Sequence, residues 1–192
     1  MEILFSNRVS QAFLRILISI SNKLAIDPSW LMFLMDWESG ISSTRENSYG
    51  CLGLIQFCPD YSGGSYKTIN GVRYDLQSLK MMLPEDQLQV VYEYLREIQR
   101  AKGKFADYYQ LYFSILFPAA YGQPDDYVLN TQSNPIFDLN KDGRVTVGEV
   151  KEYLDNRVRD KVPQSYWDIF FKKKSSFSYI EQRSYSEQLL SV

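Results

Sequence analysis

Glu38 and the segment Gly53-Leu54-Ile55-Gln56-Phe57 are the residues whose types and spacing could do chemistry in this chain. Glu38 opens the triplet Glu38-Ser39-Gly40 at the end of an apolar stretch that carries Trp30 and Trp37. A carboxyl group walled by aromatics resists ionising, so its pKa rises and it can hold a proton near neutral pH. Such a proton is what a departing glycosidic oxygen needs. Alone, Glu38 reads more simply as a helix-terminal carboxylate in solvent or capping a loop; the Gly-Leu-Ile-Gln-Phe turn at short range weights it toward catalysis.

The rest of the composition narrows the options. The chain has 192 residues and no histidine, which excludes Ser-His and Cys-His catalysis and histidine-bound zinc. Acid–base work is left to carboxylates, tyrosines or lysines. A net charge of −2 gives no electrostatic case for nucleic acid. No apolar run is long enough for a membrane span. The 15 Tyr, 11 Phe and 3 Trp fill a core first, and their flat rings also suit stacking on sugars. Trp30 and Trp37 read as core, whereas Tyr49, Tyr61 and Tyr66 stand in loop-like segments suited to such stacking.

The elements that must position Glu38 follow from pattern and punctuation. Val9, Phe13, Ile16, Ile20 and Leu24 predict a first helix over about residues 6–25. Asp27-Pro28 reads as an N-cap with proline at the first helical position, and Gly40 as the stop of a second helix, apolar nearly all round and hence central. Asn70-Gly71, between Tyr66–Ile69 and Val72–Tyr74, predicts a hairpin. Pro84 opens an amphipathic helix, with Leu88, Val91, Leu95 and Ile98 on one face, that stops at Gly103. Further helices are expected at about 105–117, 147–160 and 164–172, and the last 20 residues, rich in Ser, Tyr and Gln, fold back or fray. The fold class is mainly α with one small hairpin.

Glu38-Ser39 at a helix end, followed by Gly53-Leu54-x-Gln56, resembles the lytic transglycosylase and goose-type lysozyme family. The resemblance covers about residues 20–120, with its motif-bearing part at 27–59. It implies a lysozyme-like α fold and cleavage of the β-1,4 bond between N-acetylmuramic acid and N-acetylglucosamine in peptidoglycan. It implies Glu38 as general acid and base, and Ser39 and Gln56 as substrate-binding groups, with bracing of the backbone an equal reading for Gln56. After Gln56 the chain departs from the family, reading Phe57-Cys58-Pro59, and the family's Ala-Tyr-Asn-Ala-Gly motif is missing. Tyr112 and Tyr121 are the two candidates for its cleft tyrosine. After Glu38, the nearest acidic candidates, Glu46 and Asp60, lie in loops outside any motif. One strong carboxyl without a partner fits a substrate-assisted route. The 2-acetamido group attacks, Glu38 protonates the leaving oxygen, and Glu38 then takes a proton from the sugar's 6-hydroxyl to give a 1,6-anhydro end. Entry of water instead makes a lysozyme.

A second motif is independent of the first. Asp138, Asn140 and Asp142 at loop positions 1, 3 and 5, Gly143 at 6, the Arg144 carbonyl at 7, Thr146 at 9 and Glu149 at 12 match an EF-hand loop. A convincing helix follows, but Pro135 prevents one before it, so the expectation is a single structural Ca2+ site and not a paired sensor. Some lytic transglycosylases carry such a loop. The simpler reading is an Asp/Asn/Gly turn without metal.

The expected division is a lysozyme-like catalytic domain over 1–130, an EF-hand-like segment over 131–162, and a C-terminal helix and tail over 163–192. No signal peptide is visible at the N-terminus, so action at the bacterial cell wall is expected after delivery by a phage, virion or injection apparatus, a mature form stripped of its leader being the other reading. Without export Cys51 and Cys58 are expected as free thiols; a local disulfide bracing the loop after export is the other reading. The Lys172-Lys173-Lys174 run reads as a solvated helix end sooner than as a contact for anionic wall polymers. Two further function classes stay open: a non-catalytic, calcium-stabilised glycan binder of a virion or injection system, and a chitinase-like hydrolase.

Overall fold

In the computed structural model, which describes residues 2–129 and 135–171, the chain is mainly α with a small antiparallel hairpin. The described residues fall into two compact units, one running to Phe105 and the other starting at Ala106. The division falls ahead of the expected boundary near residue 130. The Lys172–Lys174 run and the C-terminal tail lie outside the described residues.

The first unit is built on α1 (Gln11–Leu24), α2 (Pro28–Ser39) and, later in the chain, α4 (Pro84–Lys102). Residues 6–25 do not form one helix. Ser6–Arg8 is a short 3-10 turn, Val9 is extended, and α1 starts only where the Ser10 hydroxyl accepts the Phe13 amide at 3.0 Å. A serine that caps cannot also continue a preceding helix. α1 packs on α4, and the Gln99 side chain of α4 donates to the Leu24 carbonyl at the end of α1 (2.8 Å). The central position expected for α2 is borne out: Trp30, Leu31, Met32, Phe33, Leu34 and Met35 are all buried. Asp27 caps it through the Ser29 amide at 2.8 Å, and Gly40, at φ 68°, ends it. A cap of this kind contributes about 1 kcal/mol.

The hairpin pairs β1 (Tyr66–Ile69) with β2 (Val72–Asp75) in the register Ile69↔Val72. Asn70 and Gly71 both sit at positive φ (50° and 75°), as a tight two-residue turn of this hand requires. The tip is tied to α4: the Asn70 side chain donates to the Glu93 carbonyl (3.1 Å) and carboxylate (2.8 Å). A short helix the sequence pattern did not reveal, α3 (Leu76–Lys80), follows directly, capped by Asp75.

The second unit holds α5 (Tyr108–Leu116), β3 (Val128–Leu129), β4 (Val145–Thr146), α6 (Val147–Lys161) and α7 (Trp167–Phe171). Its core is aromatic, with Phe137 edge-on to Phe117 at 5.3 Å and to Tyr153 at 4.9 Å. The α5–α6 junction explains why α5 belongs here. Tyr108 and Tyr109 both donate to one oxygen of Asp155 on α6, Tyr109 at 2.6 Å. Among the described residues no helix is long and apolar enough to cross a membrane.

Candidate functional site

α2 delivers Glu38 one turn beyond its buried stretch, and the end of the helix is clamped from three sides. The Gly40 amide bonds the Asp36 carbonyl (2.9 Å) and the Ile41 amide the Met35 carbonyl (3.0 Å). The Arg8 guanidinium reaches both the Asp36 carboxylate (2.6 Å) and the Gly40 carbonyl (3.0 Å). The Ser39 hydroxyl donates to the Leu54 carbonyl at 3.0 Å and accepts the Ser42 amide at 3.0 Å. Ser39 is buried, so its hydroxyl braces backbone and does not present itself to a ligand.

Residues 52–57 form a closed turn. Leu52 and Phe57 exchange both backbone hydrogen bonds (3.0 and 2.7 Å), and Gly53 and Gln56 sit at positive φ (84° and 54°). The Gln56 amide nitrogen donates to the Arg45 carbonyl (3.0 Å) and the Gly53 carbonyl (3.1 Å), so its donor side braces the turn. The residue that holds this turn to the core is one the sequence pattern did not single out. Gln87 on α4 is fully buried; it accepts the Leu54 amide (2.7 Å) and donates to the carbonyls of Ser43 (2.9 Å) and Leu79 (3.0 Å). A Cβ at position 53 would lie 2.4 Å from the Gln87 oxygen, so only glycine fits there. The available signal was a lone amide one residue before Leu88, in a helix whose inward positions are otherwise apolar.

Cys51 and Cys58 are joined in a disulfide that brackets this turn, which corrects the expectation of free thiols. The turn's own hydrogen bonds bring the two residues opposite one another, a proximity that seven residues of sequence separation do not reveal.

Among the carboxyls of the described residues, Glu38 stands apart electrostatically. Its Oε1 is buried without a hydrogen-bond partner, and burial pushes the carboxyl up to about 7. The next two acids along the chain are engaged. Glu46 pairs with Lys80 at 2.9 Å. Asp60 accepts the Thr68 amide (2.9 Å) and pairs with Lys67 (3.3 Å), and the Thr68 hydrogen bond, helped by Lys67, holds its carboxyl below the usual range. Trp30 is core, as expected, and Trp37 is half-buried. Of the loop tyrosines, Tyr49 and Tyr61 are exposed, whereas Tyr66 has the Arg73 guanidinium 3.3 Å from its ring centre. Tyr112 and Tyr121 belong to the second unit. Tyr112 is buried on α5, and Tyr121 is half-buried just past the 3-10 turn Pro118–Ala120.

No protein-family model, no curated protein and no solved structure matches this chain.

The second unit carries the acidic loop. Asp138 accepts the amides of Asp142 (3.1 Å) and Gly143 (3.0 Å), Asn140 accepts that of Asp142 (2.8 Å), and Asp142 accepts that of Arg144 (2.8 Å). Gly143, at φ 83°, makes the bend. Glu149 closes the loop: it bonds the amide and hydroxyl of Thr146 (2.9 Å each) in a capping box at the start of α6, and its other oxygen faces the Asn140 amide (3.4 Å). β4, formed by Val145–Thr146, pairs with β3, so the strand partner comes from Val128–Leu129 and not from a second loop of the same kind. Among the described residues no group of three or more His, Cys, Asp or Glu is gathered as a cation cage.

Two outcomes test the turn. Gln87→Leu strands three buried backbone groups and is expected to lower unfolding free energy by about 3 kcal/mol or more in denaturant melts; a loss under about 1 kcal/mol would dismiss the knot. Reduction of the Cys51–Cys58 bond is expected to cost about 2 kcal/mol, read as a lower thermal midpoint with reductant that Cys51→Ser/Cys58→Ser does not show.

Proposed function

We propose that this chain cleaves the β-1,4 glycosidic bond between N-acetylmuramic acid and N-acetylglucosamine in peptidoglycan, as a lytic transglycosylase with Glu38 as general acid and then base. The observation that carries the reading is the buried, unpartnered Oε1 of Glu38, with a carboxyl that keeps its proton up to about 7. A group of this kind donates a proton near neutral pH, where an ordinary carboxyl has lost it. The engagement of Glu46 and Asp60 by lysines and by Thr68 supports a route in which the sugar's own acetamido group replaces the second carboxylate. The resemblance in Glu38-Ser39 and Gly53-Leu54-x-Gln56 supports the lysozyme-like architecture and the substrate. The Cys51–Cys58 bond supports action outside a reducing cytosol, as at the cell wall.

The acidic loop is proposed as a structural calcium site. Its fit rests on donor chemistry and direction. Asp138, Asn140, Asp142 and Glu149 turn their oxygens into the loop, onto its own amides, and Thr146 and the Arg144 carbonyl complete an all-oxygen set suited to a hard cation. Bound there, calcium would tie the loop to the start of α6.

Mass spectrometry of products from purified peptidoglycan tests the activity. Anhydro ends are expected; reducing ends would make the enzyme a hydrolase, and no products would make the chain a binder. Glu38→Gln is expected to lower product release by about 10²–10⁴-fold. Activity of the native chain should fall as pH rises through about 7, where Glu38 loses its proton. The same substitution tests the cost of the site. The folded value of about 7 lies above the ordinary 4.5, so folding retains a proton between the two. Stability from this group is full below the lower value and is lost as pH rises through the upper one. Glu38→Gln should therefore raise the thermal midpoint at about pH 8 and leave it nearly native at about pH 4. For the acidic loop, chelator should lower the thermal midpoint and added calcium restore it, with the response absent in Asp138→Ala; an unresponsive native chain would argue against a bound ion.

A further inference from the structure

We propose that the Tyr94 hydroxyl is the hydrogen-bond donor that receives and orients the Glu38 carboxylate once it has released its proton. The proposal rests on the reading of Glu38 as the acid and deepens it.

The placement follows from α4. Gln87 and Tyr94 stand two helical turns apart on one face, with Val91 between them. Gln87 holds the turn at Leu54 (2.7 Å), and the other end of the same turn, Phe57, meets the Tyr94 ring edge-to-face at 5.9 Å and 89°. Residues 54–57 thus lie along α4 between these two side chains. Ser39, next to Glu38, is bonded to the Leu54 carbonyl at 3.0 Å, which brings the end of α2 to the same turn. The charge of Glu38 reaches Tyr94: burial first, then Glu97, then Glu38 raise the phenol above its usual range. Tyr94 therefore keeps its own proton at every working pH and is always a donor.

The two groups are complementary in time. While Glu38 is protonated, Tyr94 faces no charge there. When the proton passes to the glycosidic oxygen, a carboxylate is left in a poorly solvated place, where an unpaired charge is costly. A neutral hydroxyl on the neighbouring face offsets that cost without transferring its own proton. Glu38 Oε1 is buried and has no hydrogen-bond partner. The other charges around the pair are committed. Glu97 accepts the Asn70 amide (3.1 Å), and Glu93 the Asn70 side chain (2.8 Å). Asp36 is paired with Arg8 (2.6 Å), and the Arg45 guanidinium bonds the Ser39 carbonyl (3.4 Å). Tyr94 is a positioning residue in this scheme, acting through Glu38.

Tyr94→Phe keeps the ring that meets Phe57 and removes only the hydroxyl. Carbon-13 NMR of the carboxyl groups follows the Glu38 titration directly, its signal assigned by its loss in Glu38→Gln. A hydrogen bond to a charged group is worth a factor of about ten or more, so the Glu38 midpoint should rise by about one unit in Tyr94→Phe. In wall cleavage, kcat should fall about tenfold with KM changed less than about twofold, and the falling limb of the pH profile should move up with the titration. A Glu38 titration that does not move in the folded variant overturns the proposal, whatever the activity does. If the native chain releases no wall fragments, the proposed function fails, and the titration still decides the role of Tyr94.

Discussion

A buried amide that must satisfy three backbone groups at once is the constraint on which the first unit depends. Gln87 has one acceptor and one two-proton donor, and it uses both, on Leu54, Ser43 and Leu79. Only asparagine carries the same groups, and it is one methylene shorter. A glutamate of the same length lacks the donor, and a leucine leaves all three groups unpaired in an apolar surrounding, each at about 1–3 kcal/mol. The same amide explains Gly53, since any Cβ there meets its oxygen. Two residues far apart in sequence are thereby fixed by one polar contact, and the turn between Leu52 and Phe57 acquires a rigid backing.

That rigidity matters because the site contains a carboxyl held against its electrostatic preference. Burial raises Glu38 toward neutrality, and above that pH the folded state carries a charge it solvates poorly. Such a group relaxes into solvent unless its backbone is held. The frame is redundant: Gly40 closes α2, Arg8 bonds the Gly40 carbonyl, Ser39 bonds the turn, and the Cys51–Cys58 bridge brackets that turn. Several of these elements do more for position than for net stability.

What the sequence made legible is what local chemistry decides. Asp27, Pro28 and Gly40 mark α2 because capping depends on adjacent residues, and Asn70-Gly71 marks the hairpin because both residues adopt positive φ. The break at Val9 was hidden because apolar spacing ran through it, while Ser10 capped from within the pattern. The division after Phe105 depends on Tyr108 and Tyr109 meeting Asp155, some 46 residues on. The β3–β4 pair was hidden because two-residue strands carry no alternation to read. At the site, Glu38 and the Gly53–Gln56 turn were visible as a motif. Bracing by Gln56 was one of the two readings its place in the motif offered. The bond of Ser39 to Leu54, the Gln87 knot and the packing of Tyr94 on Phe57 were not legible, because each contact is set by how distant segments pack.

The carboxylates of the first unit show most clearly where motif reading stops. Glu38, Glu46 and Asp60 carry the same functional group within one stretch of chain. Asp60 lies against Lys67 and the Thr68 amide, which stabilise its charge; Glu46 has Lys80. Glu38 has burial and, among the described residues, no ion pair; Arg45 is directed to the Ser39 carbonyl and Arg8 to Asp36. The acid is thus distinguished by what its neighbours do with their own charges, as much as by its own position. Asp36, two residues earlier on the same helix, gives the converse case: it is paired with Arg8 at 2.6 Å.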